Sequence, residues 1–398
     1  MTFILARSEI WQCKSTYNKN YNREKRDISK DLYAPWKFPI KYYVEDPVNS
    51  KKVEEAIEII SKNTCVNFTK EEKTFNNEQG LIFKSGSACS SNVGLADPNK
   101  PQVIYLTKGC YDNSPYILHE IGHALGLIHE QSRRDRDKYV QIYLSNVHTS
   151  ERNNFQILGY DNYKNYSTSY DYYSLMHYHP TDFAIDKKKD VITSKTHELY
   201  NKMMGQRKNM TFNEFKLINL CHCNTCNWVD DDGNRNKKYN GITCRNSGYP
   251  DFKTCGKCIC PTGYTGEDCS VIDSSDLACG STKFKARSYN QNLFFYKKMI
   301  CNVFIVADRR KKIKIQVHFS NTPTGNICTE DISNQIKHRR DKGNTGLLLC
   351  GQHKKIKSLK SESNSALIIY RGYSSDSVLI LTFKQFSRRT NSKKAKLS

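Results

Sequence analysis

The sequence predicts a multidomain chain: an α+β domain, then a small cysteine-stapled module, then an all-β module. Three observations carry this. At 398 residues the chain exceeds one ordinary core, since domains cluster near roughly 100–200 residues. Of its 16 cysteines, those between Cys221 and Cys269 crowd together, at spacings that suit a short disulfide framework in an oxidising, extracytosolic compartment. Beyond Cys279, short apolar runs such as VFIVA, KIKIQVHF, ALIIYRGY and SVLILTF read as strands.

Residues 1–26 are polar and end in Arg23-Glu24-Lys25-Arg26, a basic run of the kind cut by processing proteases, and are read as a remnant pro-segment. The apolar run Phe3 to Ala6 is shorter than the roughly 7–15 residues of a signal core, so an incomplete N-terminus is expected. From Trp36, PIKYYVED alternates like a strand, and the next segment places Val53, Ala56, Ile57 and Ile60 on one helical face. GLIFKSG and PQVIYLT read as strands, and a second helix is expected over roughly Ser114 to Leu127. The boundaries that follow are 27–223 for the α+β domain, 224–270 for the cysteine-rich module, 279–386 for the β module, with VFIVA, KIKIQVHF, ALIIYRGY and SVLILTF as strands, and 387–398 for a basic tail. No run of about 20 apolar residues occurs, so no membrane span is expected.

The formal charge of +22 is uneven: from Cys279 onward there are 25 Lys and Arg against 6 Asp and Glu. A solvated basic face with a disordered tail is one reading; polyanion binding, to glycosaminoglycans or matrix through patches such as Arg309 to Lys314, is the other. Nucleic acid is not an expected partner. Asn67, Asn165 and Asn209 head acceptor triplets and are the glycosylation candidates.

The segment HEIGHALGLIHE, 119–130, carries the chemistry. Four residues apart on a helix, His119 and His123 lie about 40° from each other around the axis, so both imidazoles reach one ion. Gly126 can take the left-handed backbone that ends the helix and returns His129 to the same metal. Three neutral nitrogens leave a coordination position open, which separates a catalytic zinc site from a structural one, and Glu120 is placed to act as general base on a zinc-activated water.

The stretch His119 to Asp137 resembles the signature of the astacin family of metzincin metallopeptidases, and Ser174-Leu175-Met176-His177-Tyr178 is similar to the family's Met-containing turn. The resemblance implies a metzincin fold for the α+β domain, with Met176 as the floor of the zinc site and Tyr178 as a movable ligand that stabilises the oxyanion. It implies that Glu130 contacts a new N-terminus, here Asp27 after cleavage at Arg26. It further implies bridges Cys65 with Cys223 and Cys89 with Cys110. Cys226, Cys244, Cys255, Cys258, Cys260 and Cys269 resemble an EGF-like module with three bridges, and Cys279, Cys301, Cys328 and Cys350 resemble the paired cysteines of a CUB sandwich. This order is similar to nematode-type astacins. Leu127 and Arg134 depart from the common family residues, Phe and Pro, and the pro-segment lacks the family's Phe-x-Gly-Asp element, which puts the latency mechanism in doubt. Cys13 and Cys221 are left over.

The expected function is that of a secreted zinc endopeptidase, a zymogen and glycoprotein, acting on extracellular proteins. The rival is a catalytically inactive matrix- or polyanion-binding protein that works through its EGF-like and CUB modules, and loss of a ligand or the base would favour it; all are present. The resemblance hints at preference for acidic residues after the scissile bond, with Lys187, Lys188, Lys189 or Arg207 as the basic wall.

Overall fold

A computed structural model describes residues 28–29, 35–158, 163–231 and 233–387. The basic run at Arg23–Arg26, Asp27, Cys13 and residues 388–398 lie outside them.

The first part is a four-stranded sheet with two helices packed on it. Strands β1 (Ile40–Val44), β2 (Phe68–Lys70), β3 (Gly80–Ser85) and β4 (Pro101–Leu106) lie in the order β2-β1-β3-β4, all parallel. Helix α1 (Ser50–Asn63) buries Val53, Ala56, Ile57 and Ile60, and Asn49 caps it by accepting from the Lys52 N–H. Its apolar stripe meets helix α2 (Ser114–Ala124). The chain beyond α2 is mostly turns and short 3-10 pieces until helix α3 (Phe212–His222). Thr211 and Glu214 start α3 as a reciprocal capping box, each side chain bonding the other's backbone. The bridge Cys65–Cys223 joins the ends of α1 and α3, and Cys89–Cys110 anchors the approach to α2.

Two small hairpins follow, held by Cys226–Cys255, Cys244–Cys258 and Cys260–Cys269. So short a segment cannot build a core of its own. It borrows one from each neighbour: Tyr249 clusters with Leu220 of α3, and Tyr264 with Leu367 and Ile369 of the next module.

That module is a sandwich of two five-stranded sheets, bridged by Cys279–Cys301 and Cys328–Cys350. Its strands are β5 (Lys283–Lys285), β6 (Gln291–Tyr296), β7 (Ile300–Val306), β8 (Lys312–Asn321), β9 (Asn334–Lys337), β10 (Leu347–Leu349), β11 (Gln352–Lys354), β12 (Leu359–Lys360), β13 (Ser365–Arg371) and β14 (Val378–Phe386). One sheet runs β5-β7-β13-β9-β10, the other β6-β14-β8-β11 with β12 also paired to β8. The first sheet is docked on the α+β part. The Leu348 N–H points at Met203 Sδ, and residues 338–346, between β9 and β10, bond Ser169, Tyr170 and Asp171, a few residues before Met176. One hydrophobic cluster extends from Trp36 to Phe383 through this contact.

Candidate metal centre

Helix α2 stops where the sequence lets it. Gly126 sits at φ +99°, its N–H bonds the His123 carbonyl at 2.8 Å, and the Leu127 N–H reaches back to Gly122 at 2.9 Å. These paired bonds form a Schellman stop, which needs a residue tolerant of positive φ. The reversed chain then brings His129 to the two helix histidines: its Nε2 lies 3.3 Å from that of His119 and 3.2 Å from that of His123.

Protons on these rings follow from their other partners. His119 Nδ1 lies 2.9 Å from the Leu175 carbonyl and His123 Nδ1 2.7 Å from that of Leu127. A carbonyl offers only lone pairs, so both Nδ1 atoms carry hydrogen and both Nε2 lone pairs face the common centre. Burial holds all three rings well below the usual imidazole range, His123 at about 4, and so keeps them neutral. Lone pairs aimed at one another repel unless a cation lies between them. Tetrahedral nitrogens at about 2.0–2.1 Å from zinc stand about 3.3–3.4 Å apart, which matches the spacing found here.

Two further groups of the centre are buried and lack hydrogen-bond partners among the described residues: Glu120 Oε2 and the Tyr178 hydroxyl. Burial pushes Glu120 up to about 8, with Arg207 opposing, and pushes Tyr178 far above the ordinary phenol value. The Tyr178 ring lies 4.5 Å from that of His129, centroid to centroid. Beneath them Gly122 allows the Met176 turn to approach, because a Cβ there would meet Met210 Cε at 2.8 Å and Met176 Sδ at 3.2 Å.

Sequence reading singled out Met176, Glu130 and Tyr178 but missed what holds them. Glu214, the capping residue of α3, also accepts from Ser174 Oγ at 2.7 Å, the Leu175 N–H at 3.2 Å and the Met176 N–H at 3.1 Å. Gln131 Oε1 accepts from the Tyr178 N–H at 3.1 Å, and Glu130 Oε1 from the Asp171 N–H at 2.7 Å. The T-x-x-E pattern at Thr211 was a readable signal; nothing local marks Gln131 or Asp171. Arg207 is fixed by the carbonyls of Leu175, His177 and Gln206 at 3.1, 3.2 and 2.8 Å, and its charge bears on Glu120, Tyr178 and all three metal-facing histidines. Lys187, Lys188 and Lys189 stand on an exposed turn. Asn67 and Asn209 are exposed, whereas Asn165 is only 9% exposed and its Oδ1 is taken by the Ser167 N–H.

Residues 28–223 match the family model of Astacin, a peptidase family. Zinc metalloproteinase nas-34 of Caenorhabditis elegans is 30% identical over 374 residues, 92% of this chain and 59% of the relative; nas-23 of the same organism is 33% identical over 367 residues, 87% and 64%. The chain belongs to the astacin family. It spans about three-fifths of the length of these curated relatives. Among solved structures, high choriolytic enzyme 1, a hatching enzyme zinc-protease of the medaka fish Oryzias latipes, is 30% identical, covering 45% of this astacin and 86% of that chain, with a TM-score of 0.41. Zinc is the cofactor of the family, and the histidine trio of this member fits it.

Proposed function

We propose that the chain is a secreted zinc-dependent endopeptidase that hydrolyses peptide bonds of extracellular proteins. The observation that carries this reading is the convergence of three neutral imidazoles with a buried, unpartnered carboxylate and a buried, unpartnered phenol. A structural site would have been closed by a fourth ligand. Among the described residues, seven disulfides support an extracytosolic setting, and no helix is long and apolar enough to cross a membrane.

Bound by His119, His123 and His129, zinc supplies Lewis acidity that makes a water nucleophilic near neutral pH and polarises a carbonyl. Glu120, through its buried Oε2, takes the proton from that water and returns it to the leaving amine. Tyr178 turns its unspent hydroxyl to the oxygen that gains charge. Arg207, rather than the exposed lysine turn, is the basic wall that favours an acidic residue after the scissile bond. In this reading 27–223 is the catalytic domain, 224–270 an EGF-like module and 279–386 a CUB module, with activation by cleavage after Arg26.

The test is cleavage of gelatin by the zinc-loaded chain beginning at Asp27, compared with Glu120→Ala. Loss of the base is expected to cost about 10²–10⁴ in rate at unchanged zinc content, and a chelator should silence the wild type. Equal, negligible rates for two folded, zinc-loaded proteins would remove the enzyme reading and favour the inactive binding protein.

A further inference from the structure

The two faces of the sandwich differ in what covers them. In the first sheet, every residue of β9 and β10 is buried against the rest of the chain, and the second module covers Leu367 and Ile369 of β13. In the second sheet, Leu293 and Phe295, Ile313, Ile315 and Val317, and Leu379, Leu381 and Phe383 point into the sandwich. Their alternates form an outer face left open among the described residues, and strand register sorts it into three bands. Lys384 stands opposite Lys314, which stands opposite Lys360. Next come Asn292, Thr382 and Gln316 in register. Beyond them Phe294, 57% exposed, stacks on Tyr296, 45% exposed, at 5.3 Å between centroids.

The lysine row calls for an explanation. Like charges directly opposite across strands destabilise a sheet, and here three stand abreast across about 10 Å at the usual strand spacing. Strands β6, β8, β11, β12 and β14 contain no Asp or Glu. The flanking acids are engaged elsewhere: Asp308 with Lys285 and Lys311, Glu362 with Arg339 and the Arg340 N–H, Asp376 with Ser374 and Asn321. A face kept basic for solubility alone gains nothing from aligning its charges. The run Arg309 to Lys314 that the sequence offered is therefore only partly the patch, since Lys311 is paired and Ile313 is core.

We propose that this outer face binds an anionic, sulfated polysaccharide chain, with Lys314, Lys360 and Lys384 on its sulfates, the amide and hydroxyl band on its hydroxyls, and Phe294 and Tyr296 against a sugar ring. A lipid surface fits less well. The polar band lies between the aromatic pair and the lysines, and anionic lipids concentrate on the cytoplasmic leaflet, away from a disulfide-bonded protein. Such binding would hold the protein in extracellular matrix whether or not its zinc site turns over, so it stands apart from the peptidase reading.

Heparin is the probe, titrated calorimetrically into the full chain over a salt series. The variant K314Q/K360Q/K384Q should bind at least about tenfold more weakly, with a log K against log salt slope shallower by about two to three, as expected for lost counterion release. K237Q/K238Q/K257Q changes the same charge on exposed positions of the second module and should stay within about twofold of wild type. F294A/Y296A should lose affinity that persists at high salt, where Coulomb attraction is screened. Equal loss in both lysine triples would reduce the effect to net charge and overturn the proposal. So would unchanged heparin binding in the first triple, or the same lysines serving phosphatidylserine vesicles and not heparin.

Discussion

Arg207 shows at single-residue scale what a linear reading leaves open. Four basic residues were candidates for the wall of the substrate site, because charge alone does not say which side chain the fold turns inward. The structure holds Arg207 on three carbonyls of the Met176 turn and its neighbour, with its charge felt at Glu120, and leaves Lys187–Lys189 on a turn in solvent. Arg207→Gln is expected to lower the preference for Asp over Ala after the scissile bond by about 10–100-fold in kcat/KM, the usual worth of a charged hydrogen bond. Peptide-library profiling reads this directly, and an unchanged profile in a folded, active variant would assign the wall elsewhere. His119, His123, His129 and Glu120 were legible because helix geometry converts their spacing into proximity within one segment. Glu214 and Gln131 support the same centre across 38 and 47 residues of sequence, and no local pattern encodes that.

At the scale of elements, legibility followed regularity. The α1 stripe and the KIKIQVHF strand could be placed from sequence because one face of each is apolar, and SVLILTF because VLIL within it is an unbroken apolar run. The predicted end of α2 was late by three residues, because Gly126 stops the helix through a left-handed turn that begins before it. Residues 338–346 could not be placed at all. This stretch is polar and basic, yet Lys337 and Lys342 are buried and staple it from within. Lys342 Nζ donates to Arg339 O at 2.7 Å, Ser365 O at 3.0 Å and Lys337 O at 3.4 Å. Burial, with help from the Lys337 charge, pushes Lys342 down from 10.5 to about 7. A base with a lowered folded pKa binds fewer protons folded than unfolded between those values, so its contribution to stability rises with pH from about 7 to about 10. Urea unfolding of wild type minus Lys342→Met should show that rise, on a baseline loss of about 2–3 kcal/mol from the orphaned carbonyls. A flat difference would mean that the amine is not titrating in this range.

For the whole molecule, the sequence suggested three modules in a row, while the structure packs the first and last directly together. Arg339 makes the join. It bonds the Tyr170 carbonyl, and its guanidinium lies 4.8 Å from the Tyr139 ring centroid and 5.8 Å from that of Tyr172. Around it Thr345 donates to Asp171 at 2.9 Å, Ser169 to Asp341 at 2.8 Å and Cys328 to Lys202 at 2.7 Å, while Tyr200 meets His338 at 2.9 Å. A linked pair of modules would share a small, wet contact and melt separately. A buried cation between aromatic rings, set in a continuous hydrophobic cluster, makes each module part of the other's core. Calorimetry of the disulfide-intact chain is therefore expected to give one cooperative transition covering both. Arg339→Met keeps the stem but leaves the Tyr170 carbonyl without this donor, and should lower that single Tm by several degrees, for a loss of about 2–4 kcal/mol. Two separate transitions in the wild type, with only the later module responding to Arg339→Met, would show that the contact is peripheral. In that case the Asp171 to Glu130 link would have to hold the metal-site turn without help from the sandwich.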